Sequence, residues 1–289
     1  MRAAVVGTGV MGSAVCLRLL RAGYQVSVYN RTPGKAAELG AAGAKVAATA
    51  AEAIDGADAV VVALLDAGAF RATLLGPEVA PALAGRRVAS VTAATPDDMR
   101  ALAAAVRAHG GTFVEVSVAG TPEMVEQGKA QAFVAGEPAD LAPWSEPLRA
   151  CFARVHDVGA LGNASEVENA CILGALFTVV GAVYTLRALE GRGVPQQAVA
   201  ALWENDPFHA NGVGMYVLGR VGARSYDAPA ATVATIAATC EMSAAYLASL
   251  RLPVEPFEAV RGVFSRAVER GFADKDFSAV YEVISPGEA

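Results

Sequence analysis

The chain has 289 residues, enough for two domains, with 54% apolar residues and a formal net charge of −6. A slightly acidic chain without a basic or aromatic-basic stripe argues against nucleic-acid binding. The longest apolar stretch, residues 170–183, is broken by glycines and too short to favour a membrane span.

Ala3-Ala4-Val5-Val6 reads as a first strand and runs directly into Gly7-Thr8-Gly9-Val10-Met11-Gly12. A helical apolar pattern follows through Ala14, Val15, Leu17, Leu19 and Leu20 and stops at Gly23. Gln25–Tyr29 then reads as a second strand. In such a unit the first glycine makes the turn and the second lets the backbone approach a pyrophosphate. The third packs the helix on the strand, and the helix N-terminus faces the phosphates. Gly7, Gly9, Val10, Met11 and Gly12 are therefore expected to bind a dinucleotide. The second strand ends at Tyr29-Asn30-Arg31-Thr32, where an NAD site usually places an acid for the ribose hydroxyls. Asn30 has no charge to repel a 2′-phosphate, Arg31 can pair with one, and Thr32 adds a hydroxyl, which favours NADPH. The alternative is an ordinary turn with a surface arginine.

Further strands are expected near Val46, over Ala59–Leu65, Arg87–Val91 and Thr112–Val116, and from Ala130 to Ala135. Continuous apolar runs separated by helices imply an α/β fold with a parallel sheet covered on both faces. Leu64, Leu65 and Thr92 lie at strand ends on the ligand edge of such a sheet and are expected to hold the nicotinamide half. Thr95 reads as a helix cap. After Gly162 the pattern turns helical. A long apolar segment runs from Ala164 to Glu190, and the remainder is punctuated at Pro195, Pro207, Pro229, Pro253 and Pro256. The expected division is a dinucleotide-binding domain over 1–161 and an all-helical domain over 162–289. A long apolar helix needs partners on several faces, so a homodimer is expected.

Cys16, Cys151, Cys171 and Cys240 are scattered, as are His109, His156 and His209, and neither set has metal-ligand spacing. No metal site is expected. Free thiols and the absence of a charged leader point to a cytoplasmic protein.

These pieces, in this order, make the chain similar to the β-hydroxyacid dehydrogenase superfamily along nearly its whole length. The resemblance implies a Rossmann domain and a helical dimerisation domain joined by a long helix. Hydroxyacid members carry a lysine about six residues after the glycine matching Gly162; here that position is Glu168. Their Ser-Gly-Gly loop is replaced by Val118-Ala119-Gly120-Thr121-Pro122. What remains resembles the imine reductase branch, in Thr92-Ala93-Ala94-Thr95-Pro96 and Ala119-Gly120-Thr121-Pro122-Glu123-Met124. Many of those enzymes place Asp or Tyr where this chain has Glu168. The resemblance thus implies NADPH-dependent reduction of a C=N bond, on a cyclic imine of natural-product metabolism, with Glu168 as the catalytic group that supports the cation or donates the proton. Glu168 as a first-turn helix residue favoured by the helix dipole is the plainer alternative. The substrate pocket is expected to include Ala119, Thr121, Trp203, Phe208, His209, Met215 and Tyr216, completed by helices exchanged within the dimer. An atypical β-hydroxyacid dehydrogenase or carbonyl reductase, and a non-catalytic NADPH-binding sensor or scaffold, remain open alternatives.

Overall fold

Along the first strand, β1 (Arg2–Val6), side chains alternate between two cores. Ala3 and Val5 enter one apolar cluster, with Val15, Leu19 and Trp144, while Ala4 and Val6 enter another, with Phe70, Leu102 and Phe113. A strand buried on both faces needs apolar residues at every position, which is why its sequence runs unbroken rather than alternating. The structure, a computed structural model, describes residues 1–32, 34–171, 177–178, 185, 189, 192–195 and 211–284. Two compact units divide the chain, Met1–Gly174 and Ala175–Ala289.

The first unit contains strands β2 (Gln25–Tyr29), β3 (Lys45–Val46), β4 (Ala59–Val62), β5 (Arg87–Ser90), β6 (Thr112–Ala119), β7 (Gln131–Ala135) and β8 (Arg154–Asp157). Helices α1 (Val10–Arg21), α2 (Gly34–Ala41), α3 (Ala50–Ile54), α4 (Ala67–Leu74), α5 (Pro96–Ala108), α6 (Pro122–Glu126), α7 (Pro138–Leu141) and α8 (Ser145–Cys151) lie between them. A ninth helix, α9, opens at residue 163 and is described through residue 171. The eight strands form one sheet in the order β3-β2-β1-β4-β5-β6-β7-β8. The order reverses between β1 and β4, and a crevice opens at the carboxyl ends of strands at such a point. This is the α/β, Rossmann-type architecture expected from the sequence, followed by a helical C-terminal region. Phe70 and Phe113 meet edge to face at 6.2 Å in the second core. Truncating either to alanine would cost about 3–5 kcal/mol.

The far edge of the sheet corrects the expectation of uniform parallel pairing. β1 to β6 pair in parallel, but β7 is antiparallel to β6, and β8 is parallel to β7. The connection from β6 to β7 holds only the five-residue α6. A parallel return needs a crossover of about a dozen residues or more, so the chain turns back instead. No strand is expected at β8 from its sequence, Arg154-Val155-His156-Asp157, because one apolar residue makes no run. It forms as an edge strand, with His156 Nε2 2.8 Å from Gln131 Oε1 and its ring stacked on Phe133 at 5.2 Å.

The division into compact units falls between Gly174 and Ala175, and the boundary expected from the sequence pattern is 161/162. The first turns of α9 are tied to β6 by hydrogen bonds described below, so they travel with the sheet. The second unit contains helices Asn211–Ala223, Val233–Ser249 and Glu255–Ala267. Its small core gathers Tyr226, Val233, Ala267, Ala279 and Val283. Beside it lies a buried carboxylate, Asp276, which accepts from Tyr216 Oη at 2.6 Å and from the Ala230 and Ser278 amides at 3.0 Å each. Among the described residues, no helix is long and apolar enough to cross a membrane.

Candidate functional site

A groove of about 870 Å³ opens at the carboxyl ends of β1, β4 and β6. Its floor is the glycine turn. Gly7 has φ +96°, and a Cβ there would stand 2.2 Å from the Ala63 carbonyl oxygen. A Cβ on Gly12 would meet the Gly7 carbonyl oxygen at 1.9 Å. Both are glycine because the turn itself has no room.

Gly9 differs. Its backbone is extended, with φ −68° and ψ −178°, and a Cβ would meet nothing within 4 Å. A side chain there would only fill the groove. Gly9 is also the N-cap of α1, and it provides no side-chain cap; the first turn holds no acid. The free amides and the positive end of the helix dipole therefore face the groove, an arrangement suited to a pyrophosphate. The cradle fits a dinucleotide. Val10 and Met11 line the same groove, Val10 being 77% exposed.

The β2 end contributes Asn30, Arg31 and Thr32. Asn30 is committed within the protein: its Oδ1 accepts from the Thr8 amide at 3.1 Å, and its Nδ2 donates to the Thr32 carbonyl at 3.1 Å. It braces the glycine turn against the β2 end. Arg31 and Thr32 are exposed along the groove, and no carboxylate among the described residues forms an ion pair with Arg31. Leu64 and Leu65 form an apolar wall, Leu65 being 83% exposed.

Thr92 corrects an expectation. It is buried, and it does not reach the groove. Its hydroxyl donates to the Val62 carbonyl at 3.4 Å and accepts from the Leu64 amide at 3.3 Å, which ties the β4 and β5 ends beneath the floor. Thr95 caps α5 by accepting from the Asp98 amide at 3.2 Å.

Glu168, on the second turn of α9, lines the groove and is half-buried, while Glu166 is exposed. The Glu168 carboxylate accepts from Ser117 Oγ at 2.9 Å. Two residues earlier on β6, on the same face of the strand, stands Glu115, fully buried. Its carboxylate accepts from the Gly162 amide at 2.7 Å, the Ser165 amide at 2.6 Å and the Ser165 hydroxyl. A buried carboxylate is tolerated only with such partners. Here they are the otherwise unsatisfied donors at the start of α9. Neither Glu115 nor Ser117 is among the residues expected from sequence. The signal was a carboxylate inside the apolar run Phe113-Val114-Glu115-Val116, which demands a partner from elsewhere in the chain.

Two other expected pocket residues, Ala119 and Thr121, are not part of the lining of this groove. Ala119 is exposed and outside its lining. Thr121 is exposed and caps α6, accepting from the Met124 amide at 3.3 Å. Tyr216 has its hydroxyl on Asp276, stacks on Phe277 at 5.5 Å and lies under the Arg220 guanidinium at 5.2 Å. A side chain so engaged builds the second unit. Trp203, Phe208 and His209 lie outside the described residues, as does the side chain of Met215. Among the described residues, no group of three or more His, Cys, Asp or Glu is placed to hold a metal.

The geometry defines a nucleotide-binding unit of the Rossmann class. Residues 2–159 match the model for the NAD binding domain of 6-phosphogluconate dehydrogenase, and the chain belongs to that family. It is similar in fold to an imine reductase from Myxococcus stipitatus solved with NADP+. The TM-score is 0.93 at 24% identity, over 99% of this chain and 100% of that one. An uncharacterised oxidoreductase from Bacillus subtilis is 27% identical over 98% of this chain and its own entire length. An NADPH-dependent reductive aminase from Aspergillus oryzae is 26% identical over 60% of this chain and 58% of its own length.

Proposed function

We propose that this protein is an NADPH-dependent imine reductase. The observation that carries the reading is the Glu168 carboxylate, held by Ser117 at the wall of the dinucleotide groove. No lysine stands in this part of the chain; the four in the sequence are Lys35, Lys45, Lys129 and Lys275. The likenesses to an imine reductase and a reductive aminase support it.

In this reading Gly9 and the α1 N-terminus hold the pyrophosphate, while Arg31 and Thr32 take the 2′-phosphate. Leu64 and Leu65 shield one side of the groove. When bound, the reduced nicotinamide supplies hydride. A C=N carbon accepts hydride readily when its nitrogen is cationic. Glu168 serves that need in one of two ways: its carboxylate stabilises the cation, or its acid form delivers the proton to nitrogen. A cyclic imine of natural-product metabolism is the substrate class proposed.

The reading extends to a cytoplasmic homodimer with exchanged helices. The free cysteines Cys16, Cys151, Cys171 and Cys240 support the compartment. Exposed apolar side chains at Phe177 (70%) and Leu218 (63%) support the partner.

The test is NADPH depletion over a panel of cyclic imines, carbonyls and hydroxyacids, with wild type and Glu168→Gln. Turnover is expected with imines alone. Glu168→Gln should lower it by about 10²–10⁴-fold without weakening NADPH binding. A pre-formed iminium needs no proton, so the variant should reduce it with less loss if donation dominates, and with equal loss if charge stabilisation does. Carbonyl or hydroxyacid turnover without imine turnover would instead assign a β-hydroxyacid dehydrogenase or carbonyl reductase. NADPH binding with no turnover of any panel member would assign a sensor or scaffold. Full activity of Glu168→Gln would reduce Glu168 to a helix-dipole residue.

A further inference from the structure

Glu168 reaches the groove from a helix, on a side chain with three rotatable bonds. Left free, it would sample several rotamers, and holding one of them costs conformational entropy. Two contacts from β6 remove that freedom. Glu115 clamps the helix start through the Gly162 and Ser165 amides, which sets the axial position and rotation of α9. Ser117, two residues along the strand on the same face, then donates to one named oxygen, Glu168 Oε2, at 2.9 Å. Ser117 is only 5% exposed, and that small exposure is at the groove it helps to line.

We propose that Ser117 is a positioning residue for Glu168, holding Oε2 so that Oε1 is the oxygen presented to the substrate nitrogen. This rests on the reading of Glu168 as the acidic group of an imine reductase. A hydroxyl suits the task because it is both donor and acceptor. It donates to Oε2 while Glu168 is a carboxylate. Its hydrogen can rotate so that it accepts when Oε2 carries a proton. The heavy atoms keep their places in both states. An alanine offers neither interaction. The clamp by Glu115 is upstream of this contact: it decides where α9 begins, while Ser117 decides how one side chain on it points.

The test compares Ser117→Ala and Ser117→Thr with wild type. Threonine keeps the hydroxyl and suits a strand. In the cofactor-free protein, carbon NMR of glutamate labelled at the carboxyl position follows Glu168, its line identified by loss in Glu168→Gln. The line should move in Ser117→Ala and return towards its wild-type position in Ser117→Thr. In turnover, Ser117→Ala should lose about tenfold in kcat, as expected for one charge-assisted hydrogen bond. The KM for NADPH and the melting temperature should stay close to wild type, and Ser117→Thr should recover most of the loss. An unmoved Glu168 line, or a Ser117→Ala enzyme with wild-type kcat, would overturn the proposal. So would a loss shared by KM, melting temperature and kcat without rescue by threonine, since that is a packing defect. If wild type turns over no imine, the reading of function fails, yet the NMR arm still decides whether Ser117 orients Glu168.

Discussion

Gly7 at φ +96° and Gly9 at φ −68° stand two residues apart in one turn. Gly7→Ala would force a Cβ to within 2.2 Å of a backbone oxygen in a left-handed conformation. The conformation alone costs roughly 1–3 kcal/mol, and the clash adds to it. Gly9→Ala meets neither problem, so its melting temperature should correspond to a loss within about 1 kcal/mol. Its NADPH dissociation constant should nevertheless rise by about tenfold or more, because the methyl group occupies the approach to the helix amides. Calorimetric melting beside fluorescence titration separates the two effects, and a collapse in stability would make Gly9 a folding glycine instead. Arg31 is a matching case for selectivity. Arg31→Ala removes one charge-assisted contact, worth roughly 1.5–3 kcal/mol. The Michaelis constant for NADPH should therefore rise about ten- to hundredfold while that for NADH changes little; equal effects on both would refute the 2′-phosphate assignment. The glycine turn and the place of Arg31 at the end of β2 were legible in the sequence, since both follow from position in a strand–turn–helix unit. Thr92 was misread because a hydroxyl at a strand end looks alike whether it faces the ligand or the floor beneath.

At the scale of elements, buried carboxylates anchor chain segments in both units. Glu115 on β6 gathers the start of α9. Asp276 gathers Tyr216, Ala230 and Ser278 beside the core of the second unit. For Asp276, burial pushes the carboxyl up, but the hydrogen bonds from Ser278, Tyr216 and Ala230 outweigh it and hold the group below its ordinary range. A folded-state value lower than the unfolded one adds stability that is present above about pH 4. That stability is lost as pH falls through the folded value. Asp276→Asn has no such proton to gain. Its melting temperature should be lower at pH 7, by the equivalent of roughly 1.5–3 kcal/mol, and should converge on wild type as pH falls below about 4. Melts across pH 3–7 check this, and parallel curves for the two proteins would refute it. Elements with long apolar runs, β1 and β4, were readable because burial on both faces leaves a local mark. The direction of β7 and the existence of β8 were not, because both depend on connection length and neighbours rather than on their own residues.

For the whole molecule, the assembly is the property next to be measured. Phe177 and Leu218 are exposed in the second unit, and the sequence from 170 to 183 is almost wholly apolar. A homodimer stable on dilution to working enzyme concentration is the expected outcome of sedimentation velocity. A folded monomer with full turnover would remove the exchanged-helix model. The division between units adds a structural point: it falls at Gly174, beyond Glu168, so the proposed acid belongs to the unit that carries the dinucleotide groove.

What the sequence by itself determined is the alternation of strands and helices from β1 to β7, the glycine cradle and the basic β2 end, together with the acid at position 168. Each of these is written in neighbouring residues, because turn geometry, strand burial and helix capping act within a few positions of the chain. Tertiary structure alone decided what holds the acid. Ser117 and Glu168 are 51 positions apart, and Glu115 and Ser165 are 50 apart. Hydrogen bonds over such separations depend on where the sheet delivers β6 and where α9 lands on it, and no local pattern of residues encodes that meeting.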